Sequence, residues 1–534
     1  MSEGLPVPSG AAPVGVVGPV PVGVVGAGTM GAGIAQVAAV AGRRVLLADA
    51  APGAAARAVE VIRERVKAQV AKGRLAVDPD ALMITATSVG DLGGCDVVVE
   101  AIVEDLAAKR ALFAELEGIV GPDAILASNT SSLSPTAIAA GLARPERVVG
   151  LHFFNPVPAM KLVEVISGIA TSPDVADAAA DLAAAWGKTV VRSAAAPGFI
   201  VNRIARPFYA EAWRVYSERG AVPENIDAVL TGACGFRMGP FALMDLIGHD
   251  VNEAVTRSVW AAFGYDPRFA PSLDQRALVE AGWLGRKSGR GVYDGGTPPA
   301  ASPAAAAGVP APAVVVSHGP SPLRDLLSRA GVRVDVDSGA HYGSGIDHAA
   351  AGLPEGLVGL PSGAVLAQCV GATATSLAAA LDRPVVVVDR VLDAATATAV
   401  AIAPSDGCPA PALDEAVALL QACGLAVFVI DDMPGLIVTR TVAMLVNLAA
   451  DALAARVASA GDIDTAMRLG VNYPLGPLAW GGRWGVRDVL TVLDSLDNWY
   501  RDGHYRACPL LRRWALSERT LPGLLLPPQV ERNR

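Results

Sequence analysis

The residues Gly26-Ala27-Gly28-Thr29-Met30-Gly31 constrain this chain more than any others. They follow residues 20–25, a valine-rich run that reads as a buried strand, and precede residues 32–41, which read as a helix. Residues 44–48 form a second expected strand, and it ends on Asp49. Strand, GxGxxG, helix, strand, acid is the context that gives the glycine pattern meaning. Gly26 permits a tight turn, Gly28 lets a pyrophosphate approach the backbone, and Gly31 lets the helix pack on the strand. The helix N-terminus offers N–H groups to phosphate. Asp49 suits two ribose hydroxyls and repels a 2′-phosphate, so the pattern points to NAD rather than NADP. Gly26, Gly28, Thr29, Met30, Gly31 and Asp49 are the expected cofactor contacts.

The alternation continues. Residues 96–101 read as a strand, 109–118 as a helix, and 124–127 as a strand running into Ser128-Asn129-Thr130-Ser131-Ser132. Residues 148–151 lead into His152-Phe153-Phe154-Asn155-Pro156, and 161–166 read as a further strand. Strands alternating with helices predict a doubly wound parallel sheet. Residues 59–73 read as a basic helix carrying Arg63, Arg65, Lys67 and Lys72. From Pro197 the pattern turns helical, with helices expected over 199–217 and 224–230 and others up to 281, closing on Gly285-Arg286-Lys287.

The second half repeats the first at an offset of 237 residues. Pro197-Gly198-Phe199-Ile200-Val201-Asn202-Arg203 returns as Pro434-Gly435-Leu436-Ile437-Val438-Thr439-Arg440. Ile226-Asp227 returns as Ile463-Asp464, and Gly239-Pro240 as Gly476-Pro477. One polar set does not return. His152 falls on Asp389, Asn155 on Leu392, Glu164 on Ala401, Asn202 on Thr439 and, with a three-residue slip, Ser131 on Gly371. Ser317-His318-Gly319-Pro320 follows the copy's first strand and is no glycine fingerprint. The copy keeps its packing positions, and its losses single out Ser131, His152, Glu164 and Asn202. The expected architecture is a flexible leader (1–19), an α/β Rossmann NAD-binding domain (20–195) and an all-α domain (196–294). A Pro/Ala-rich linker (295–313), able to reach tens of Å, then leads to a degenerate Rossmann-like fragment (314–430) and a second all-α domain (431–534).

Composition excludes other classes. A chain of 534 residues exceeds one core. A net charge of −9 argues against nucleic acid or a membrane surface as partner, and no apolar run is long enough to span a bilayer. The first 21 residues lack the basic and apolar regions of a signal peptide. The six cysteines form no CxxC pair and no zinc spacing, so free thiols, no metal site and a cytoplasmic location are expected. All six lysines, Lys67, Lys72, Lys109, Lys161, Lys188 and Lys287, lie in the first 290 residues.

His152 sits at an expected strand end, where α/β proteins bind ligands. Histidine can take a proton near neutral pH, and a carbinol carbon gives up its hydrogen only if the hydroxyl proton also leaves. His152 is therefore a candidate base, with Glu164 on the next strand to orient it. Ser131 and Asn202 suit substrate oxygens.

Together, Gly26-Ala-Gly-Thr-Met-Gly, Ser128-Asn-Thr-Ser-Ser, Leu151-His-Phe-Phe-Asn-Pro, Pro197-Gly-Phe-Ile-Val-Asn-Arg and Gly285-Arg-Lys resemble the 3-hydroxyacyl-CoA dehydrogenases. The stretch from Asp462 to Gly481 resembles the long form with two C-terminal helical domains, the 3-hydroxyadipyl-CoA or 3-hydroxybutyryl-CoA dehydrogenases of phenylacetate breakdown. The resemblance covers about residues 20–520. It implies oxidation of a (3S)-3-hydroxyacyl-CoA to the 3-oxoacyl-CoA with NAD, His152 as base, Glu164 as its partner, and Ser131 and Asn202 on the substrate. It places Glu104, Lys109, Asn155 and Lys287 on the cofactor side and Lys72 near the CoA phosphates, so lysine placement would follow phosphate-bearing ligands. Single-copy members pair through their helical domains, which implies an internal pseudo-dimer here and allows a homodimer of the whole chain. A distal carboxylate on the acyl chain would need a basic group, for which Arg203 and Arg206 are candidates by position. Two other functions stay open: a β-hydroxyacid dehydrogenase acting on a free acid, and an NAD-binding protein without catalysis.

Overall fold

The computed structural model describes residues 21–306, 308–318, 323–336 and 356–517. The expected leader, part of the Ser317–Pro320 turn and the chain after residue 517 lie outside the described residues. The chain divides into two compact units, Met1–Val190 and Val191–Arg534.

In the first unit, β1 (Val22–Val25) runs through the glycine turn into α1 (Thr29–Val40), and β2 (Val45–Ala48) follows. Next come α2 (Ala54–Ala71), β3 (Ile84–Thr87), β4 (Val97–Glu100), α3 (Leu106–Ile119), β5 (Ile125–Ser128) and α4 (Pro135–Ile138). The sequence closes with β6 (Val148–Phe153), β7 (Leu162–Ser167), α5 (Pro173–Ala185) and β8 (Thr189–Ala194), the strand in which the two units divide. The sheet order is β3-β2-β1-β4-β5-β6-β7-β8. Strands β1, β2, β4 and β5 are buried along their whole length, as unbroken valine and leucine runs require. Residues of α1, α2 and α5 cover one face, and Leu112, Phe113, Leu116 and Ile138 of α3 and α4 cover the other.

One expectation needs correction. The sheet is parallel from β3 to β6, but β6 and β7 pair antiparallel. Only residues 154–161 join them. A parallel return needs a crossover of about a dozen residues or more, so this short connection can only fold back beside its own strand.

The second unit opens with α6 (Val201–Ile204), α7 (Arg206–Ser217), α8 (Pro223–Cys234), α9 (Pro240–Ile247), α10 (His249–Ala262) and α11 (Leu273–Glu280). Its sheet region holds β9 (Val314–His318), α12 (Arg324–Ser328), β10 (Arg333–Val336), β11 (Leu357–Gly359), β12 (Val365–Gln368), α13 (Ala374–Leu381) and β13 (Val385–Val388). It continues with β14 (Ala399–Pro404), α14 (Ala410–Ala422) and β15 (Ala426–Val429), in the order β10-β9-β11-β12-β13-β14-β15. The helices α15 (Val438–Ala454), α16 (Ala460–Gly470), α17 (Pro477–Trp484), α18 (Val486–Tyr500) and α19 (Pro509–Leu516) complete it.

The 237-residue offset is visible element by element. It carries α5 onto α14 and α9 onto α17 end to end, and β7 onto β14. The kept motifs have structural work. Asp227 accepts hydrogen bonds from Phe241 N (2.9 Å) and Ala242 N (2.8 Å) at the start of α9. Asp464 does the same with Leu478 N (2.9 Å) and Ala479 N (3.0 Å) at the start of α17. A side chain at Gly239 or Gly476 would strike that carboxylate, so each Asp needs its Gly. The helix expected over 199–217 breaks at Ala205, where Pro207 sits in the first turn of α7. The copy has Met444 at that place, and α15 runs through unbroken.

The helical halves of this unit pack together. Phe236 and Tyr473, each the other's counterpart in the repeat, meet edge to face at 4.9 Å. Buried Glu211 on α7 accepts hydrogen bonds from His504 Nε2 (2.7 Å) and Tyr505 Oη (2.8 Å). Arg203 pairs with Asp451 at 2.8 Å. The segment expected as a free spacer is seated instead. Ser302 N donates to Asn225 Oδ1 (2.9 Å), and Ala304 N donates to Val427 O (2.7 Å).

Candidate active site

The glycine turn has the geometry its sequence implies. Gly26 has φ +107°, and a Cβ there would meet Ala101 O. A Cβ on Gly31 would lie 1.7 Å from Gly26 O. At Gly28 a Cβ would meet nothing within 4 Å, so the backbone faces open space. No side chain caps α1, and Gly28 and Thr29 are exposed. Asp49, at the end of β2, accepts from Ala27 N (2.7 Å) and Ala51 N (2.8 Å), which sets the turn against the strand end. An open backbone at a helix N-terminus, next to a carboxylate, fits a dinucleotide.

A second loop is built on buried charge. Glu100 ends β4 fully buried and accepts from Lys109 Nζ (2.6 Å), Ser128 Oγ (2.6 Å) and Ile102 N (2.7 Å). Glu104 collects the Ser128–Ser132 loop: its Oε1 accepts from Thr130 Oγ1 (2.7 Å), Ser131 N (2.9 Å), Ser132 N (3.0 Å) and Ser132 Oγ (2.9 Å). Burial would raise the Glu104 carboxyl, but these bonds and Lys109 outweigh it and hold it below the usual range. Asn129 Oδ1 accepts from Phe153 N (2.8 Å), which ties the loop to β6.

That strand carries His152 directly opposite Glu164 in the antiparallel register. His152 Nδ1 lies 2.6 Å from Glu164 Oε2, with the carboxylate fully buried. The antiparallel turn that the sequence pattern did not show is what makes this pair. Within the first unit, the structure brings together Ser131, Glu104 and Asn129 in one network and His152 and Glu164 in another, joined through Phe153 N. Asn202, on α6, belongs to the second unit, and its backbone carbonyl accepts from Arg206 Nε at 2.8 Å.

The copy shows what its polar losses did. Asp389, the counterpart of His152, is buried and caps α15 through Ile437 N (2.9 Å), Val438 N (2.7 Å) and Thr439 N (3.0 Å). It also accepts from the hydroxyl of Thr439, the counterpart of Asn202, at 2.8 Å. Burial pushes this carboxyl up. Asp389 serves as a helix cap.

One lysine expectation changes. Lys109 is 1% exposed and locked between Glu100 and Glu104, so its charge is spent inside the protein and it cannot meet a phosphate. Lys188 donates to Val157 O (2.5 Å) and Met160 O (2.8 Å), and burial lowers it to about 8. Lys287 pairs with Asp250 at 2.5 Å but stays half-exposed. Lys72, at the end of α2, and Asn155 are exposed. Arg203, a candidate for a distal carboxylate, is held by Asp451. Sequence reasoning missed Glu100; its signal was a lone charge closing an all-valine strand. The described cysteines are all free thiols, and no described helix is long and apolar enough to cross a membrane.

The comparisons with known proteins match this picture. Residues 21–196 match the 3-hydroxyacyl-CoA dehydrogenase NAD binding domain, and residues 198–295 and 435–520 match the C-terminal domain of the same enzymes. Residues 366–434 match the 3-hydroxybutyryl-CoA dehydrogenase reduced Rossmann-fold domain. The chain is 46% identical over 495 residues to the 3-hydroxyadipyl-CoA dehydrogenase of Escherichia coli, covering 92% of this chain and 96% of that one. It is 43% identical over 272 residues to a probable 3-hydroxybutyryl-CoA dehydrogenase of Bacillus subtilis, covering 50% of this chain and 94% of that one. The crystal structure of an Escherichia coli 3-hydroxybutyryl-CoA dehydrogenase superposes with a TM-score of 0.82 at 43% identity, over 94% of this chain and 99% of that one. With the NAD-binding domain, both copies of the C-terminal domain and the reduced Rossmann-fold domain matched, the chain belongs to the 3-hydroxyacyl-CoA dehydrogenase family.

Proposed function

We propose that this chain oxidises a (3S)-3-hydroxyacyl-CoA to the 3-oxoacyl-CoA with NAD, in the cytoplasm, and that its first half does the chemistry. The observation that carries the reading is the 2.6 Å contact between His152 Nδ1 and Glu164 Oε2. Glu164 holds the proton on Nδ1 and stabilises the ring when it becomes charged. Nε2 is then the ring atom that accepts the proton from the substrate's 3-hydroxyl. NAD, bound along Gly26, Gly28, Thr29, Met30, Gly31 and Asp49, supplies the two-electron acceptor. Ser131, positioned by Glu104, and Asn202 hold the substrate oxygens. Lys72 meets the CoA phosphates, and Asn155 and Lys287 lie on the cofactor side.

The test compares (3S)-3-hydroxybutyryl-CoA with free (3S)-3-hydroxybutyrate, following NADH absorbance. Turnover of the thioester with little or none of the free acid is expected. Equal kcat/KM on both would place the chain among the β-hydroxyacid dehydrogenases, and NAD binding without turnover of either would leave only a binding protein.

A further inference from the structure

One buried cation in the helical domain has no carboxylate partner among the described residues. Arg206 is 5% exposed at the start of α7. Its Nε donates to Asn202 O (2.8 Å), and its Nη1 donates to Thr256 Oγ1 (2.9 Å). Its guanidinium lies over the Tyr209 ring at 5.0 Å. The groups of opposite polarity that act on it are the Tyr209 and Tyr473 phenols, and burial lowers its pKa. Its neighbour Arg203, by contrast, has Asp451. The Tyr473 hydroxyl is buried and has no hydrogen-bond partner among the described residues. A guanidinium without a counter-ion and an unpaired hydroxyl are both costly to bury, and here they lie together.

The copy lacks this cluster. Arg206 falls on Ala443, Tyr209 on Val446 and Thr256 on Leu493. Tyr473 itself comes from the copy, at the place of Phe236. The arginine therefore tracks the half that keeps Asn202, and the other half lends it a hydroxyl.

We propose that Arg206, with Tyr473 reaching in from the second helical domain, is the subsite for a distal carboxylate on the acyl chain, which makes a dicarboxylic 3-hydroxyacyl-CoA the preferred substrate. The inference rests on the reading of Asn202 as a substrate contact. Arg206 Nε donates to the Asn202 carbonyl at 2.8 Å, which sets the guanidinium beside the substrate contact, and the second carboxylate of a six-carbon diacid sits only three carbon–carbon bonds beyond C3. A carboxylate there would give the guanidinium its missing charge and Tyr473 Oη its missing acceptor.

The experiment compares (3S)-3-hydroxyadipyl-CoA with (3S)-3-hydroxyhexanoyl-CoA, equal in length but without the second carboxylate. It uses the full chain, Arg206→Met and Tyr473→Phe. The wild type should prefer the adipyl thioester. Arg206→Met should cut the adipyl-to-hexanoyl ratio of kcat/KM by about a hundredfold, mostly through KM. Tyr473→Phe, a change too small to disturb folding, should cut it by about tenfold. A wild-type ratio near one, or a ratio unchanged in Tyr473→Phe, overturns the subsite while leaving the dehydrogenase reading intact. A wild type that turns over neither thioester overturns both.

Discussion

Lys109 shows how a residue can be placed correctly and read wrongly. Its position on a helix beside the expected site was legible; its partner was not, because Glu100 looked like the last letter of a valine strand. Only the fold brings residues 100, 104 and 109 to one point. At Gly28 and Gly31, by contrast, sequence and structure agree, since the constraint on each is local backbone geometry. The two glycines should respond differently. Gly31→Ala forces Cβ onto Gly26 O and should disrupt the turn and lower the melting temperature, read by thermal unfolding. Gly28→Ala has room in the unliganded protein and should leave melting unchanged while weakening NAD binding, read by fluorescence titration.

At the scale of elements, β1, β2, β4, β5, β6 and β7 were legible from apolar runs with α1, α2 and α3 between them, whereas β3, β8, α4 and α5 were not. The antiparallel β6–β7 pair was not, because both strands are buried on both faces and show no hairpin alternation. The break between α6 and α7 had a visible signal, Pro207. The Glu104-centred loop carries a pH prediction. A carboxyl held down in the folded chain contributes stability above its ordinary value of 4.5, and that contribution is lost as pH falls through the lowered folded value. Glu104→Gln should therefore cost stability at pH 7, and the difference from wild type should shrink as pH drops below that ordinary value. Melting curves across that range check it, and a constant difference would contradict it.

For the whole molecule, the repeat was legible because packing positions survive drift, and the seating of residues 302–305 was not because proline and alanine carry no periodicity. The second half packs against the first helical domain through buried polar contacts as well as rings. Glu211→Ala, which leaves His504 without its carboxylate, should cost about 3–5 kcal/mol in denaturant unfolding. Deleting residues 314–534 uncovers α7, and light scattering should show self-association; a monodisperse monomer would contradict the covering role. The central claim is that all chemistry passes through His152 and Glu164. Its most direct test is turnover of a (3S)-3-hydroxyacyl-CoA by His152→Gln, with NAD affinity measured alongside. The account predicts a loss in kcat of about a hundred- to ten-thousand-fold with NAD binding unchanged. A variant that keeps turnover within a few-fold of wild type would contradict it.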